Sequence, residues 1–198
     1  MGPTYVAAAF AFTQHWASTD RFAALGDHLS ASFNAQSIGA RIEAGYRRGS
    51  WWPGVAFTPY AALQAQSFHT PAYSETDLNN GGFGLSFNAR NASDTRSELG
   101  ERIEKQVLVQ SGAALVLHGK LAWAHDWFTD PALTAAFQAL PGASFTVNGA
   151  TPAKDAALLS TGAELRLPNG VSLSGKFDAE FANRAQTYAG TGTIRLAW

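Results

Sequence analysis

The sequence predicts an all-β fold: an antiparallel up-and-down β-barrel of about 10–12 strands, read as transmembrane, with a short helix in one long loop. Three observations predict it. Apolar and polar residues alternate along nearly every segment, and on a strand successive side chains point to opposite faces. The alternating segments run ~9–11 residues, the length a tilted strand needs to cross a bilayer, against ~5–6 in soluble sheets. Charged residues are only 15% of the 198-residue chain, where an ordinary soluble domain has about 25%.

The last stretch is the clearest strand. Tyr188, Gly190, Gly192, Ile194, Leu196 and Trp198 alternate with Ala189, Thr191, Thr193, Arg195 and Ala197. Chain ends usually fray, so an indole in register at the terminus indicates an end tied into a sheet. Upstream, Val171–Phe181 and Ala157–Leu167 alternate as cleanly, and Pro168-Asn169-Gly170 joins them as a tight hairpin turn.

The rest follows in chain order. Tyr5–Trp16 puts Phe10, Phe12 and Trp16 on one face and ends at a polar break, Ser18 to Arg21. His28–Gln36 and Ile38–Tyr46 each alternate and read as a hairpin. Gly49–Gly54 is a turn beside Trp51 and Trp52, and Phe57–Phe68 is a strand with Pro59 near its start. Thr70–Gly82 is rich in breakers. Ala72–Thr76 inside it is taken as a short strand, because the up-and-down count requires one. Phe83–Arg90, Thr95–Glu104 and Leu115–Trp127 follow as strands. Asp130-Pro131 then opens a helix with Leu133, Phe137 and Leu140 on one face, ended by Pro141-Gly142.

Periodicity does not say which face points inward. In a soluble barrel the apolar face is the core; in an outer-membrane barrel it meets lipid and the charges line the lumen. Strand length favours the membrane. So does charge balance on the polar face: Arg41 with Glu43, Arg96 and Arg102 with Glu98, Glu164 with Arg166, Lys176 with Asp178 and Glu180, and Arg195 on the last strand. Mixed signs suit a confined, partly hydrated lumen, where an unpaired charge is costly. Trp51, Trp52, Trp127 and Trp198 near strand ends resemble an interfacial girdle.

Several functions are disfavoured. A formal net charge of −1 gives no electrostatic case for nucleic acid. Without cysteine there is no disulfide or thiolate chemistry. The five histidines lack metal-ligand spacing, and no nucleophile elbow or P-loop occurs, so no catalytic residue, metal or cofactor is expected. The longest apolar run, Tyr5–Phe12, is too short for a spanning helix and lacks the preceding positive charge of a signal peptide.

From Trp52 to Trp198 the chain resembles the translocator domain of autotransporters, the type V secretion proteins of Gram-negative bacteria. The matching pieces are G-Y-R at Gly45–Arg47, P-Y-A-A-L-Q-A-Q-S-F at Pro59–Phe68 and Y-S-E-T at Tyr73–Thr76. S-E-L-G at Ser97–Gly100, L-A-W-A-H-D at Leu121–Asp126 and F-x-V-x-G-A at Phe145–Ala150 follow, and the terminal strand completes the set. The resemblance implies an outer-membrane barrel over residues 1–198, incomplete at its N-terminus, that anchors and helps export an N-terminal passenger carried in cis. It also implies outer-membrane lipid and the Bam insertion machinery as partners, with the assembly signal at Tyr188, Ile194, Leu196 and Trp198. The alternatives are a stand-alone outer-membrane pore or adhesin and a soluble ligand-binding barrel.

Overall fold

The structure, a computed structural model, describes residues 3–49, 52–109, 112–128, 132–140, 142–149 and 153–197. The chain begins with β1 (Thr4–Phe22), a tight turn at Ala24–Gly26, β2 (His28–Tyr46) and the short β3 (Arg48–Gly49). β4 (Val55–Thr70) leads into three short strands, β5 (Tyr73–Ser74), β6 (Thr76–Asp77) and β7 (Leu85–Phe87). Then come β8 (Arg90–Leu108), β9 (Ala114–Phe128), β10 (Ala132–Phe137) and β11 (Ser144–Asn148). β12 (Asp155–Arg166), β13 (Val171–Ala182) and β14 (Ala185–Leu196) complete it.

Among the described residues the main sheet has ten strands, eight of them long, in the order β1-β2-β4-β8-β9-β12-β13-β14; β3 pairs with β4 and β6 with β2. Every pairing is antiparallel between chain neighbours along this path. The sheet is strongly curled. Arg102 on β8 hydrogen-bonds Tyr5 on β1, although β2 and β4 lie between them. Arg96 on β8 reaches Glu180 on β13 across β9 and β12. Neighbouring strands lie ~4.8 Å apart, so such contacts require side chains that converge on a concave face.

Pro168-Asn169-Gly170 forms the expected turn: Leu167 N–H donates to Val171 O at 2.8 Å, and Gly170 takes the left-handed φ of 82°. Ala197 N–H donates to Gly170 O at 2.9 Å, which ties the end of the chain to this turn.

Five expectations are corrected. His28–Gln36 and Ile38–Tyr46 are one strand, β2, not a hairpin. Its inward positions are Leu29, Ala31, Phe33 and Ala35 in the first half and Arg41 and Glu43 in the second, so the apolar face switches sides near Ser37 without a turn. In the half beyond the apolar belt the inside is packed and apolar and the outside is polar, as in a soluble sheet. The same extension carries β1 through Ser18–Arg21, which is strand and not a break. Phe83–Arg90 and Thr95–Glu104 are not two crossing strands. Leu85–Phe87 belongs to a second sheet and Arg90–Leu108 is one long strand. Ala72–Thr76 does not cross either; it supplies the two-residue pairings β5 and β6.

The fifth correction concerns the helix. Asp130, Pro131 and Pro141 lie outside the described residues, and Ala132–Phe137 is strand. A helix of this length is marginal in water. Here β10 finds a strand on each side, β11 and β7. The Thr134 and Thr146 hydroxyls meet at 3.1 Å and the Phe137 and Phe145 rings at 5.7 Å. Cross-strand pairs of this kind outweigh a weak local helix preference.

The second sheet, β11-β10-β7-β5, sits at the end opposite the Pro168–Gly170 turn. Its Tyr73 stacks between Phe33 and Phe87 at 4.2 and 4.6 Å. Beside it Glu75 accepts two hydrogen bonds from Arg21, at 2.9 and 2.6 Å, and one from Leu85 N–H. Burial pushes the Glu75 carboxyl up, but the Arg21 guanidinium and the Leu85 amide outweigh it and hold the group below its ordinary 4.5. The other ionisable groups packed nearby are Tyr73, Asp27 and Asp77. Because the folded value is depressed, this contribution is fully present above pH 4.5 and is lost as pH falls through the folded value. Limited digestion with pepsin is therefore expected to cut the 71–89 segment progressively faster as pH drops below 4.5, and at no greater rate in Glu75→Gln on acidification.

Candidate functional site

The concave face carries two sets of paired charges that border one cavity. Glu43 on β2 receives both Arg102 nitrogens, at 2.6 and 2.8 Å, the Tyr5 hydroxyl at 2.7 Å and Arg41 at 3.0 Å. Glu98 on β8 receives Arg41 at 3.0 Å, Lys120 at 2.7 Å and the Tyr60 hydroxyl. Arg96 pairs through two nitrogens with Asp126, at 2.6 and 2.7 Å, and also with Glu180. Arg102 further lies 4.1 Å over the Tyr60 ring. Glu43, Glu98 and Asp126 are buried, and each has a guanidinium or ammonium partner. Between these groups a cavity of about 470 Å³ is lined by Arg41, Gln64, Gln66, Asp94, Arg96 and Glu98, among others.

Two parts of this network are built alike. Tyr5 lies opposite Gly45 in the β1–β2 pairing, and Tyr60 opposite Gly100 in the β4–β8 pairing. In each case the phenol leans over the glycine and donates to the glutamate two residues before it, Glu43 or Glu98. A Cβ on Gly45 would fall 2.4 Å from the Tyr5 ring; one on Gly100 would fall 2.5 Å from the Ala122 Cβ and 2.7 Å from the Leu121 carbonyl. Tyr5 can swing aside, whereas the Leu121 backbone cannot. Gly100→Ala is therefore expected to destabilise the protein by about 2 kcal/mol through overpacking, and Gly45→Ala by about half as much. Denaturant titration in detergent, followed by gel migration with and without heating, measures both.

All the charged residues singled out from sequence lie on the concave face, but they divide in two. Arg41, Glu43, Arg96, Glu98, Arg102 and Glu180 join the two sets around the cavity. Glu164 with Arg166 and Lys176 with Asp178 form separate, more exposed pairs, each at 2.9 Å. Arg195 sits opposite Ser172 in the β13–β14 pairing. Sequence reasoning missed Tyr5, Tyr60, Lys120 and Asp126 as members. The recoverable signal was the repeated tripeptide Glu-x-Gly at Glu43–Gly45 and Glu98–Gly100, each with a tyrosine on the preceding strand.

The convex face is apolar and open. Phe10, Ile42, Leu63, Leu99, Leu121 and Phe177 stand on it, all exposed. Tyr188, Ile194 and Leu196 are exposed on the convex side of β14, with Tyr188 near the Phe177 and Phe181 rings. Trp52 and Trp127 are exposed near opposite ends of the sheet, and Trp127 meets His125 edge-on at 4.7 Å. Trp51 and Trp198 lie outside the described residues. Glu101 and Lys105 interrupt the band at convex positions of β8, and one Glu101 oxygen is covered without a hydrogen-bond partner.

A charged concave face and an apolar convex one, on long antiparallel strands, is the organisation of a membrane β-domain. The family model described as autotransporter beta-domain matches residues 1–178. The chain belongs to that family. Families of this type are outer-membrane translocator domains of Gram-negative bacteria. The matched region of this β-domain takes in β1 through most of β13 and stops short of β14. An extracellular serine protease of Serratia marcescens is 26% identical to this β-domain over 178 residues, covering 88% of the chain and 16% of that protein.

Proposed function

We propose that this chain is the membrane-embedded translocator of an autotransporter, anchoring an N-terminal passenger and assisting its passage to the cell surface. The convex face would meet outer-membrane lipid, and the concave face would line the aqueous path. β14 would carry the assembly signal, at Tyr188, Ile194, Leu196 and Trp198, read by the Bam insertion machinery. The observation that carries this reading is the division of the sheet. Buried, fully paired carboxylates gather on one side, and large apolar side chains are left uncovered on the other. In water the exposed apolar band would drive association; in a bilayer it is the outer surface. The chain spans 16% of the relative's length.

The test is surface display. The domain is expressed behind a signal peptide and a small reporter, and external protease is added to intact cells. The reading requires loss of the reporter while a periplasmic control survives. A reporter that stays protected while the domain is inserted and heat-modifiable would count against export. Deleting Trp198 is expected to lower the inserted fraction about tenfold without changing synthesis, read by heat-modifiable migration of the outer-membrane fraction.

A further inference from the structure

The second sheet bridges two parts of the curled main sheet that are far apart. Its β10–β11 hairpin follows β9, while β5 and β7 lie in the connection between β4 and β8. Gln138, just past β10, donates to the carbonyls of Glu75 and Leu85 at 2.8 and 3.0 Å. Glu75 is in turn held by Arg21 on β1, and Phe83 O accepts from the same guanidinium at 3.0 Å. Contacts therefore run from β10, which follows β9 in the chain, to the end of β1, and three strands of the main sheet lie between β9 and β1.

The docking is on the concave side. Arg21, Leu29 and Phe33 all occupy inward positions. Leu29 is fully covered, Ala31 is 5% exposed, and Phe33 stacks on Tyr73. In the β1–β2 turn, buried Asp27 accepts from Gly81 and Phe83 N–H groups at 3.3 and 3.2 Å. On the β1–β2 side the segment is held by the Phe33–Tyr73 stack, by Asp27, by the backbone pairing of β6 with β2, and by Leu78 N–H donating to His28 O at 2.9 Å. The salt bridge to β1 is made by one carboxylate, Glu75, whose side chain is 4% exposed.

We propose that this small sheet is a strap across the mouth opposite the Pro168–Gly170 turn, latched by Arg21 and Glu75, which swings aside when a polypeptide passes. The latch stands independently of the translocator reading; only the link to passage rests on it. Gln138 holds the carbonyls of Glu75 and Leu85, so β10 and the Glu75 segment move as one piece, and losing the Arg21–Glu75 pair removes the charged tie of that piece to β1. Local opening of such a unit requires far less than global unfolding.

The chain has no cysteine, so a single introduced thiol is a clean reporter. Ala31→Cys, in the full protein in outer membranes, is treated with a membrane-impermeant maleimide. Labelling is expected to be slow with the latch intact and to speed up about tenfold or more when Glu75→Gln or Arg21→Ala is added, in proportion to the open population. Equal rates in all three proteins, each shown folded by heat-modifiable migration, would overturn the latch. For passage, Arg21→Cys and Glu75→Cys are combined and bridged by a short bifunctional thiol reagent during reporter export. Arrest in the bridged protein but not in the unbridged one supports the strap as a gate, and continued export after bridging refutes it. If the reporter is not exported even without bridging, the translocator reading fails, and the latch is still judged by the labelling rates.

Discussion

Replacing Glu98 by alanine is expected to destabilise the folded protein by about 3 kcal/mol, among the larger single-residue effects on the concave face. Glu98 is 4% exposed at its side chain and takes up Arg41, Lys120 and Tyr60 at once. Its removal leaves Lys120 and the Tyr60 phenol without this acceptor and Arg41 with Glu43 alone. The concave face is open to water on one side, which softens the penalty from the upper end of the range for a buried pair. The partners rank below it. Tyr60→Phe removes one hydrogen bond and keeps the ring over Gly100, so about 1 kcal/mol is expected. Glu164→Ala breaks an exposed pair with Arg166 and should change stability by less than about 0.5 kcal/mol. Urea titration of the three variants in the same detergent checks the order. Equal effects for Glu98 and Glu164 would mean that the network adds nothing beyond isolated surface pairs.

The parity of the strands was legible because a period of two is robust to errors at strand ends. Leu165, Phe177 and Leu196 share one face and Glu164, Lys176 and Arg195 the other, whatever the exact boundaries. What was not legible is where a strand leaves the bilayer. On β2 the apolar residues move from odd positions to even ones at Ser37 with no turn to mark it, because the surroundings change and the strand does not. Read locally, that switch imitates a turn, and Ser18–Arg21 on β1 imitates a break for the same reason. Splitting those strands forced an extra crossing at Ala72–Thr76 to balance the count.

The site was half legible. Charges of opposite sign two residues apart, such as Arg41 and Glu43, advertise a polar face. The links that matter join Tyr5 to Arg102 and Arg96 to Glu180, far apart in sequence and brought together only by curvature. Nor does a sequence show that Glu98 rather than Glu164 is the buried one. Both follow the same alternation, but Glu98 lies on a central strand under Tyr60, while Glu164 sits near the end of β12. The helix misreading has a similar origin: β10 owes its extended form to partners in two separate connections.

Leu121→Arg is the substitution that separates lipid from water as the surroundings of the convex face. Leu121 is 63% exposed, between Leu159 on β12 and Glu101 on β8. At an exposed site on a soluble sheet, arginine would alter stability by no more than about 0.5 kcal/mol. On the lipid-facing side of a membrane barrel near the midplane, the same change is unfavourable by about 2–4 kcal/mol. The variant is therefore expected to lose most of its inserted, heat-modifiable form, while Thr187→Arg, on the concave face beside the cavity, keeps it. Both add one positive charge, so a general effect of charge would lower the two alike. Glu101 offers an internal check, since it stands directly opposite Leu121 across the β8–β9 pairing with one oxygen unpartnered. An arginine at position 121 has that carboxylate within reach, and part of its penalty should be recovered. The double variant Leu121→Arg with Glu101→Gln is thus expected to insert less well than Leu121→Arg alone, by about a factor of five for a coupling of roughly 1 kcal/mol. If Leu121→Arg inserts and unfolds like the wild-type protein, the convex face does not contact hydrocarbon, and the exposed apolar band must be covered by protein.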